Sequence, residues 1–374
     1  MKRPRVVHVY KDIYPPVQGG IERTIYHLAR LCSERYDVRV IVARRGRGLG
    51  RTSTVAGGIE VAEVASAGRL LSTPLAPGFI TALRRSKADL LHFHIPHPTG
   101  EVAYLLSGLS TPSVATYHSD VVRQKMTMKV YGPLFQRFLS RMRVIMPTSQ
   151  RYLDSSEPLR PHRDRCTVVP LGIPLEDYEM NDARRRRVEE LHAQYGPFVL
   201  FLGMLRAYKG LPYLLEALAK VPSARALIAG DGPMAPALRE QAASLGLGER
   251  VVFLGRVDDE EAVALLHAAR VFVLPAHQRS EAFGLCQIEA MTCGTPVIST
   301  DLPTGVPEVN RHNETGLIVP PADAYAMAKA LDELMRNPER CAALGENGQK
   351  RARENYRAET MAENIMRVYD RVLK

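Results

Sequence analysis

Residues 271–300 read VFVLPAHQRSEAFGLCQIEAMTCGTPVIST. The stretch opens on an apolar run, VFVLP, crosses a polar loop, AHQRSEAF, enters a helix-like segment that begins around Gly284, and closes on a second apolar run, TPVIS. Short, nearly continuous apolar runs separated by helical segments read as parallel strands covered on both faces and joined by helices. The second half repeats the pattern: FVLFLGM leads to LPYLLEALAKV, RALIAGDG to MAPALREQAASLG, VVFLG to DEEAVALLHAA, and TGLIVP comes later. In the first half VVHVY precedes IERTIYHLARLC, and VRVIV, ADLLHFHIP and PSVATYH come after it. The expected class is therefore α/β with parallel sheets. A break falls at residues 170–187, PLGIPLEDYEMNDARRRR, where two prolines, a glycine and a switch to charge place a domain boundary near Gly172. Residues 1–171 and 172–356 then form two doubly wound, Rossmann-like domains facing a central cleft, the natural ligand site, with a C-terminal helix over about 357–374 packing back on the first.

The totals agree with two domains. The chain has 374 residues of ordinary apolar content and no run long enough to span a membrane. MKRPRVVHVY reads as a first strand rather than a signal peptide. The five cysteines, Cys32, Cys166, Cys286, Cys293 and Cys341, form no Cys-x-x-Cys pair, which suits reduced thiols in the cytoplasm. Residues 1–170 carry 26 Lys and Arg against 12 Asp and Glu, so the whole positive excess lies in the first half. Such asymmetry suggests an anionic partner, or solubility alone.

Ligands of open parallel sheets bind beyond the C-terminal strand ends, so the loops after strands carry the interest. After the first strand, Gly19 and Gly20 open a helix, and bare N–H groups there suit phosphate; a tight turn would use the same pair. After FVLFL, Arg206 and Lys209 lie close together in GMLRAYKG, suited to a pyrophosphate. Glu281 falls at the mouth of the helix after VFVLP, and Glu289 a little over one turn inside it. The amides of Phe283, Gly284 and Leu285 are that helix's unsatisfied donors. A diphosphate seated on them would leave the two carboxylates for hydroxyls, as on a nucleoside diphosphate sugar. Capping by Glu281 and a surface role for Glu289 would also fit the residues alone.

Glu281 to Glu289 resembles the paired-glutamate motif of retaining glycosyltransferases of family 4, which have the GT-B fold. GGIERTIYHLAR resembles that family's N-terminal glycine loop and GMLRAYKG its phosphate loop; EAMTCGTPVIST and ETGLIVPPAD resemble its segments C-terminal to the glutamate pair. YHSDVVRQK and DLPTGVPEVN look most like the bacterial branch that includes O-antigen mannosyltransferases. The resemblance spans nearly the whole chain, in order. It implies that Glu289 holds the ribose, that Glu281 meets the donor sugar's hydroxyls, and that the amides near Phe283 to Leu285 hold sugar and diphosphate. It gives Arg206 and Lys209 the diphosphate, brings Gly19 and Gly20 over it from the other domain, and sets His118, in ATYHSD, beside the reacting sugar. Many relatives have arginine where this chain has Met204, so Arg206 is expected to supply that charge.

The resemblance implies transfer of a sugar, with GDP-mannose the expected donor, to a glycan or lipid-linked acceptor. UDP-glucose or UDP-N-acetylglucosamine is the alternative. Same-face attack would pass the acceptor's proton to the leaving diphosphate, with His118 orienting or acting as base. No Asp-x-Asp pair occurs, so neither metal nor cofactor is expected. His92, His94 and His97 in HFHIPHP could ligate zinc but are expected to be polar cleft lining. In VVRQKMTMKVYGPLFQRFLSRMR, Leu134, Phe135, Phe138, Leu139 and Met142 share one helical face and Arg137 and Arg141 another. That helix suits either an anionic membrane surface, peripheral on the inner face of the cell membrane, or core packing with solvated arginines. A basic nucleic-acid-binding protein is a distant alternative, lacking a helix-turn-helix or aromatic platform.

Overall fold

The apolar runs fold as strands, and their order builds two sheets. The computed structural model describes residues 3–15, 17–46, 49–55, 57–70, 73–120 and 125–374. The chain divides into residues 1–172 with 358–374, and residues 173–357.

The first unit contains β1 (Arg5–Val9), α1 (Gly20–Cys32), β2 (Asp37–Ala43), β3 (Arg51–Val55), β4 (Ile59–Val64), a two-residue pair β5 (Arg69–Leu70) and β6 (Thr73–Pro74), α2 (Phe79–Arg85), β7 (Leu90–Ile95), α3 (Pro98–Ser107), β8 (Ser113–Tyr117), α4 (Lys125–Arg141), β9 (Val144–Pro147) and α5 (Gln150–Ser155). Its main sheet runs β3-β4-β2-β1-β7-β8-β9. Every pairing in it is parallel except β3 with β4. The expectation of parallel strands therefore fails at one edge. RTSTV is too polar for a covered strand and lies antiparallel at the rim, where one side needs no neighbour. By contrast β7, LLHFHI, is buried at all six positions, although two of the three residues on one of its faces are histidine.

The amphipathic helix forms as α4, but Phe135, Phe138, Leu139 and Met142 are buried, with Phe138 edge-on to Phe93 and Tyr104. Arg137 and Arg141 are exposed, and so is Leu134, at 42%, contrary to its expected place on the apolar face. Burial of each large apolar side chain contributes roughly 1.5–3 kcal/mol, which favours this face on the sheet. Residues 121–124, the middle of the YHSDVVRQK motif, lie outside the described residues. Among the described residues no helix is long and apolar enough to cross a membrane.

The second unit contains α6 (Asp182–Tyr195), β10 (Val199–Leu202), α7 (Leu211–Ala219), β11 (Ala226–Ala229), α8 (Ala235–Ser244), β12 (Val251–Gly255), α9 (Asp259–Ala268), β13 (Val271–Leu274), α10 (Leu285–Thr292), β14 (Val297–Thr300), α11 (Val306–Val309), β15 (Gly316–Val319), α12 (Ala324–Arg336) and α13 (Pro338–Asn355). Its sheet is wholly parallel, ordered β12-β11-β10-β13-β14-β15. Strand order reverses direction between β10 and β13, and the C-terminal ends of strands at such a point are where open parallel sheets bind ligands. One continuous core packs Leu211, Leu214 and Leu218 of α7 and Met327, Leu331 and Leu334 of α12 against Val199, Phe201 and Ile228 of the sheet.

The last helix, α14 (Ala358–Leu373), belongs to the first unit. Tyr369 bonds His92 at 2.6 Å, and Asp370 accepts from Tyr36 at 2.5 Å and Arg35 at 2.9 Å.

Candidate functional site

In the second unit the loops after β10 and β13 pack on one another at the reversal point. The His277 amide donates to the Tyr208 carbonyl at 3.0 Å. Gly210, at φ +72, lies so close that a Cβ would overlap the Pro275 carbonyl oxygen, so only glycine lets the two loops meet. This contact carries the two chemically loaded segments together. Lys209 Nζ and Glu281 Oε2 are 2.6 Å apart, their side chains only 12% and 10% exposed. Burial works to lower the Lys209 pKa, but the Glu281 carboxylate beside it outweighs that and holds the ammonium charged. Cys286 stays a neutral thiol, because burial pushes it up to about 12.

Glu281 precedes α10, and Gly284 turns the chain into it. Gly284 has φ +77, and a Cβ would stand 2.7 Å from Gln287 Nε2 and 2.8 Å from Leu274 Cδ2. Its carbonyl accepts from the Gln287 amide at 2.9 Å, so the amides of Phe283, Gly284 and Leu285 come before the first intrahelical bond. They form a donor set at the positive end of a helix dipole, beside a buried ammonium. Glu289 lies one turn inside α10 and is half-buried. Arg206 is exposed, with Nε 2.8 Å from Met204 Sδ, so it is not part of the buried ion pair.

The first unit offers another set at its own reversal point, between β1 and β7. Gly19 caps α1 and Gly20 begins it. The buried carboxylate of Glu22 folds over Gly19, and burial raises its pKa. The anion seat read from the two glycines thus already has a carboxylate against it. His118 comes just after β8; its amide donates to Ile95 at 2.9 Å, and burial lowers its imidazole to about 3. His92, His94 and His97 do not line an open surface: they are 0%, 0% and 1% exposed. Register explains why. His8 of β1 lies opposite His92, and His94 opposite Thr116, so all four side chains share one face of the sheet beneath α14. His92 bonds Tyr369 and Thr116 at 2.6 and 2.8 Å, while His94 bonds His8 and His118 at 3.0 and 3.1 Å. His8 escaped the sequence reading. The available signal was its place in the first strand, in register with a His-x-His strand.

Residues 182–351 match the family described as Glycosyl transferases group 1, and residues 18–177 the one described as Glycosyltransferase Family 4. The D-rhamnosyltransferase WbpZ of Pseudomonas aeruginosa is 36% identical over 357 residues, covering 95% of this chain and 92% of that one. The chain belongs to glycosyltransferase family 4. The O-antigen chain mannosyltransferase C of Escherichia coli is 34% identical over 378 residues, covering 99% of each. Among solved structures, sucrose-phosphate synthase from Thermosynechococcus elongatus superposes with a TM-score of 0.85 at 23% identity over 99% of both chains, which shows the shared GT-B fold. This family 4 protein is thus an enzyme that transfers sugars. Its structure brings together Lys209, Glu281 and the 283–285 amides, with Glu289 one turn on. Gly19, Gly20 and His118 belong to the other unit.

Proposed function

We propose that this glycosyltransferase moves a sugar of manno configuration from a GDP-linked donor to a glycan or lipid-linked acceptor, with retention and without a metal ion or cofactor. The observation that carries the reading is the buried Lys209–Glu281 pair at the N-terminal end of α10, where the strand order of the second unit reverses. A diphosphate there would meet a fixed ammonium and the bare amides of Phe283, Gly284 and Leu285, with Arg206 as an outer cation. Glu289 would accept the ribose hydroxyls, and Glu281 would orient Lys209 and accept hydroxyls of the donor sugar. D-rhamnose is 6-deoxy-D-mannose, so both named relatives support a manno-configured sugar.

In the reaction the bond from C1 to the β-phosphate oxygen breaks. The acceptor oxygen bonds C1 on the same face, and its proton passes to the departing diphosphate. Lys209 and the helix amides offset the charge that develops on the leaving group, the kind of contact whose removal lowers kcat by about 10²–10³. His118 and the Gly19–Gly20 turn belong to the first unit, which we assign to the acceptor side. Any peripheral contact with an anionic membrane would rest on the basic charge of that half, since Phe135, Phe138 and Leu139 of α4 are buried.

The test is to incubate the protein with GDP-mannose and a lipid-linked glycan, with and without EDTA, and to read the anomer of the product by NMR. An α-mannoside formed equally in EDTA supports the reading; inversion, or transfer only with added metal, contradicts it.

A further inference from the structure

The histidine array of the first unit has no part in the chemistry above, yet its bonding is restrictive. His94 stands between two other rings: Nε2 is 3.0 Å from His8 Nδ1, and Nδ1 is 3.1 Å from His118 Nε2. The ring centroids are 5.3 and 5.4 Å apart and the planes differ by 16° and 24°. Each centroid stands about one ring radius behind its nitrogen, so the rings meet edge to edge in nearly one plane. That is hydrogen-bond geometry rather than face stacking.

Burial holds the rings uncharged, His8 and His118 down to about 3 and His94 well below its ordinary value. A neutral imidazole has one N–H and one lone pair. His94 must therefore donate through one nitrogen and accept through the other, which leaves the chain only two arrangements. Each ends in one bare N–H and one bare lone pair, at His8 Nε2 and His118 Nδ1, both buried and without a partner. A metal is a poorer account of the His8, His92 and His94 group, because both nitrogens of His92 and of His94 already have partners.

The two ends are not equivalent. His8 lies in mid-strand at 0% exposure, where a bare N–H would have nothing to bond. His118 lies just past the end of β8, at the edge where open sheets bind ligands, and keeps 4% exposure. Nδ1 is itself buried in the free protein, but a bare N–H at that end would gain an acceptor from an oxygen-bearing ligand seated at the strand end, a partner that mid-strand His8 has no place to receive. We propose that His8 and His94 are positioning residues that hold His118 as its Nδ1–H tautomer, so that it offers a hydrogen-bond donor and not a base. His8 Nδ1–H donates to His94 Nε2, and His94 Nδ1–H donates to His118 Nε2. The consequence for catalysis rests on the sugar-transfer reading above; the tautomer itself does not.

The experiment uses the full chain labelled with ¹⁵N-histidine and two-bond ¹⁵N–¹H spectra, with His118 assigned by loss of its signals in His118→Asn. The expected pattern is Nδ1–H at His118; an Nε2–H pattern or an imidazolium overturns the proposal. His94→Phe removes the donor and should release His118 toward the Nε2–H form. His94→Gln, whose amide can donate to His118 Nε2, should restore Nδ1–H. In the transfer assay His94→Phe should lower kcat by roughly ten- to a hundredfold with little change in donor KM, and His94→Gln should recover most of it. Equal loss in both variants, or an unchanged tautomer in His94→Phe, overturns the relay. If His94→Phe does not fold, the wild-type tautomer decides alone. An Nδ1–H signal in a protein that transfers no sugar would sink the functional reading and leave the relay standing.

Discussion

Removing one member of the Lys209–Glu281 pair leaves the other charged and buried, and this sets a measurable cost. The two atoms are 2.6 Å apart with side chains 12% and 10% exposed. Breaking such a pair from one side costs about 3–5 kcal/mol, whereas replacing both members by apolar residues of similar size is close to neutral. Lys209→Met should therefore destabilise the second unit by about 3 kcal/mol or more, and Glu281→Leu by a similar amount. At roughly 2–4 °C per kcal/mol for a domain of this size, 3 kcal/mol lowers Tm by about 6–12 °C. Lys209→Met/Glu281→Leu should lose less than either single variant, giving a coupling energy above about 3 kcal/mol, and near 6 kcal/mol where the double replacement is neutral. Differential scanning calorimetry without ligand reads all four proteins. Additive losses would refute the reasoning, as would single variants that melt with the wild type: the pair would then be a solvated contact and not a buried, preorganised cation. The double variant should fold yet lose transfer, since no ammonium faces the leaving group.

Gly210→Ala forces an L residue to φ +72 and a methyl onto the Pro275 carbonyl, so it should cost about 2 kcal/mol or more and weaken nucleotide binding, read by calorimetry. Glu289→Ala should weaken GDP about tenfold, near 1.4 kcal/mol, with a small effect on kcat; titration calorimetry and initial rates separate the two. The first unit should be acid-labile. His8, His97 and His118 are lowered by burial from 6.5 to about 3, so below about pH 6.5 the unfolded chain takes up protons that the folded chain refuses. Their stability is present above that pH and is lost on acidification at roughly 1.4 kcal/mol per pH unit per histidine. Glu101, raised from 4.5 to about 8 by burial, has the opposite sign and offsets one histidine between about pH 4.5 and 6.5. His92 and His94 are lowered by burial as well and add to the loss, while Glu22 is raised and opposes it, so urea unfolding at pH 7, 6 and 5 should show stability falling at each step toward acid; a flat profile would contradict the burial of these rings.

The strands of the second unit were legible because parallel strands covered on both faces leave an apolar signature that little else mimics. VFVLP and FVLFL show it, and the loops after them carry Lys209 and Glu281. The ion pair was not legible, because it depends on Gly210 and Pro275 bringing two distant loops into contact, and nothing in the sequence reports that distance. HFHIPHP misled for a related reason. Polar residues in a strand suggest a wet face, but here each ring nitrogen of His92 and His94 finds a partner from β1, β8, His118 just after β8, or α14, which allows full burial. The edge strand β3 carried too little apolar content to be read at all. For α4 both readings of the amphipathic pattern were open, and only the contacts of Phe138 distinguish them.

The central claim is that the loops after β10 and β13 hold a nucleoside diphosphate against the N-terminal end of α10. Thermal shift with GDP, UDP and ADP tests it directly, using wild type beside Lys209→Met. At a hundredfold excess over Kd a ligand adds about 2.7 kcal/mol to the state that binds it, enough to raise Tm by several degrees. GDP should raise the wild-type Tm most and leave Lys209→Met nearly unmoved. No shift with any of the three nucleotides, or an equal shift in the variant, would contradict it.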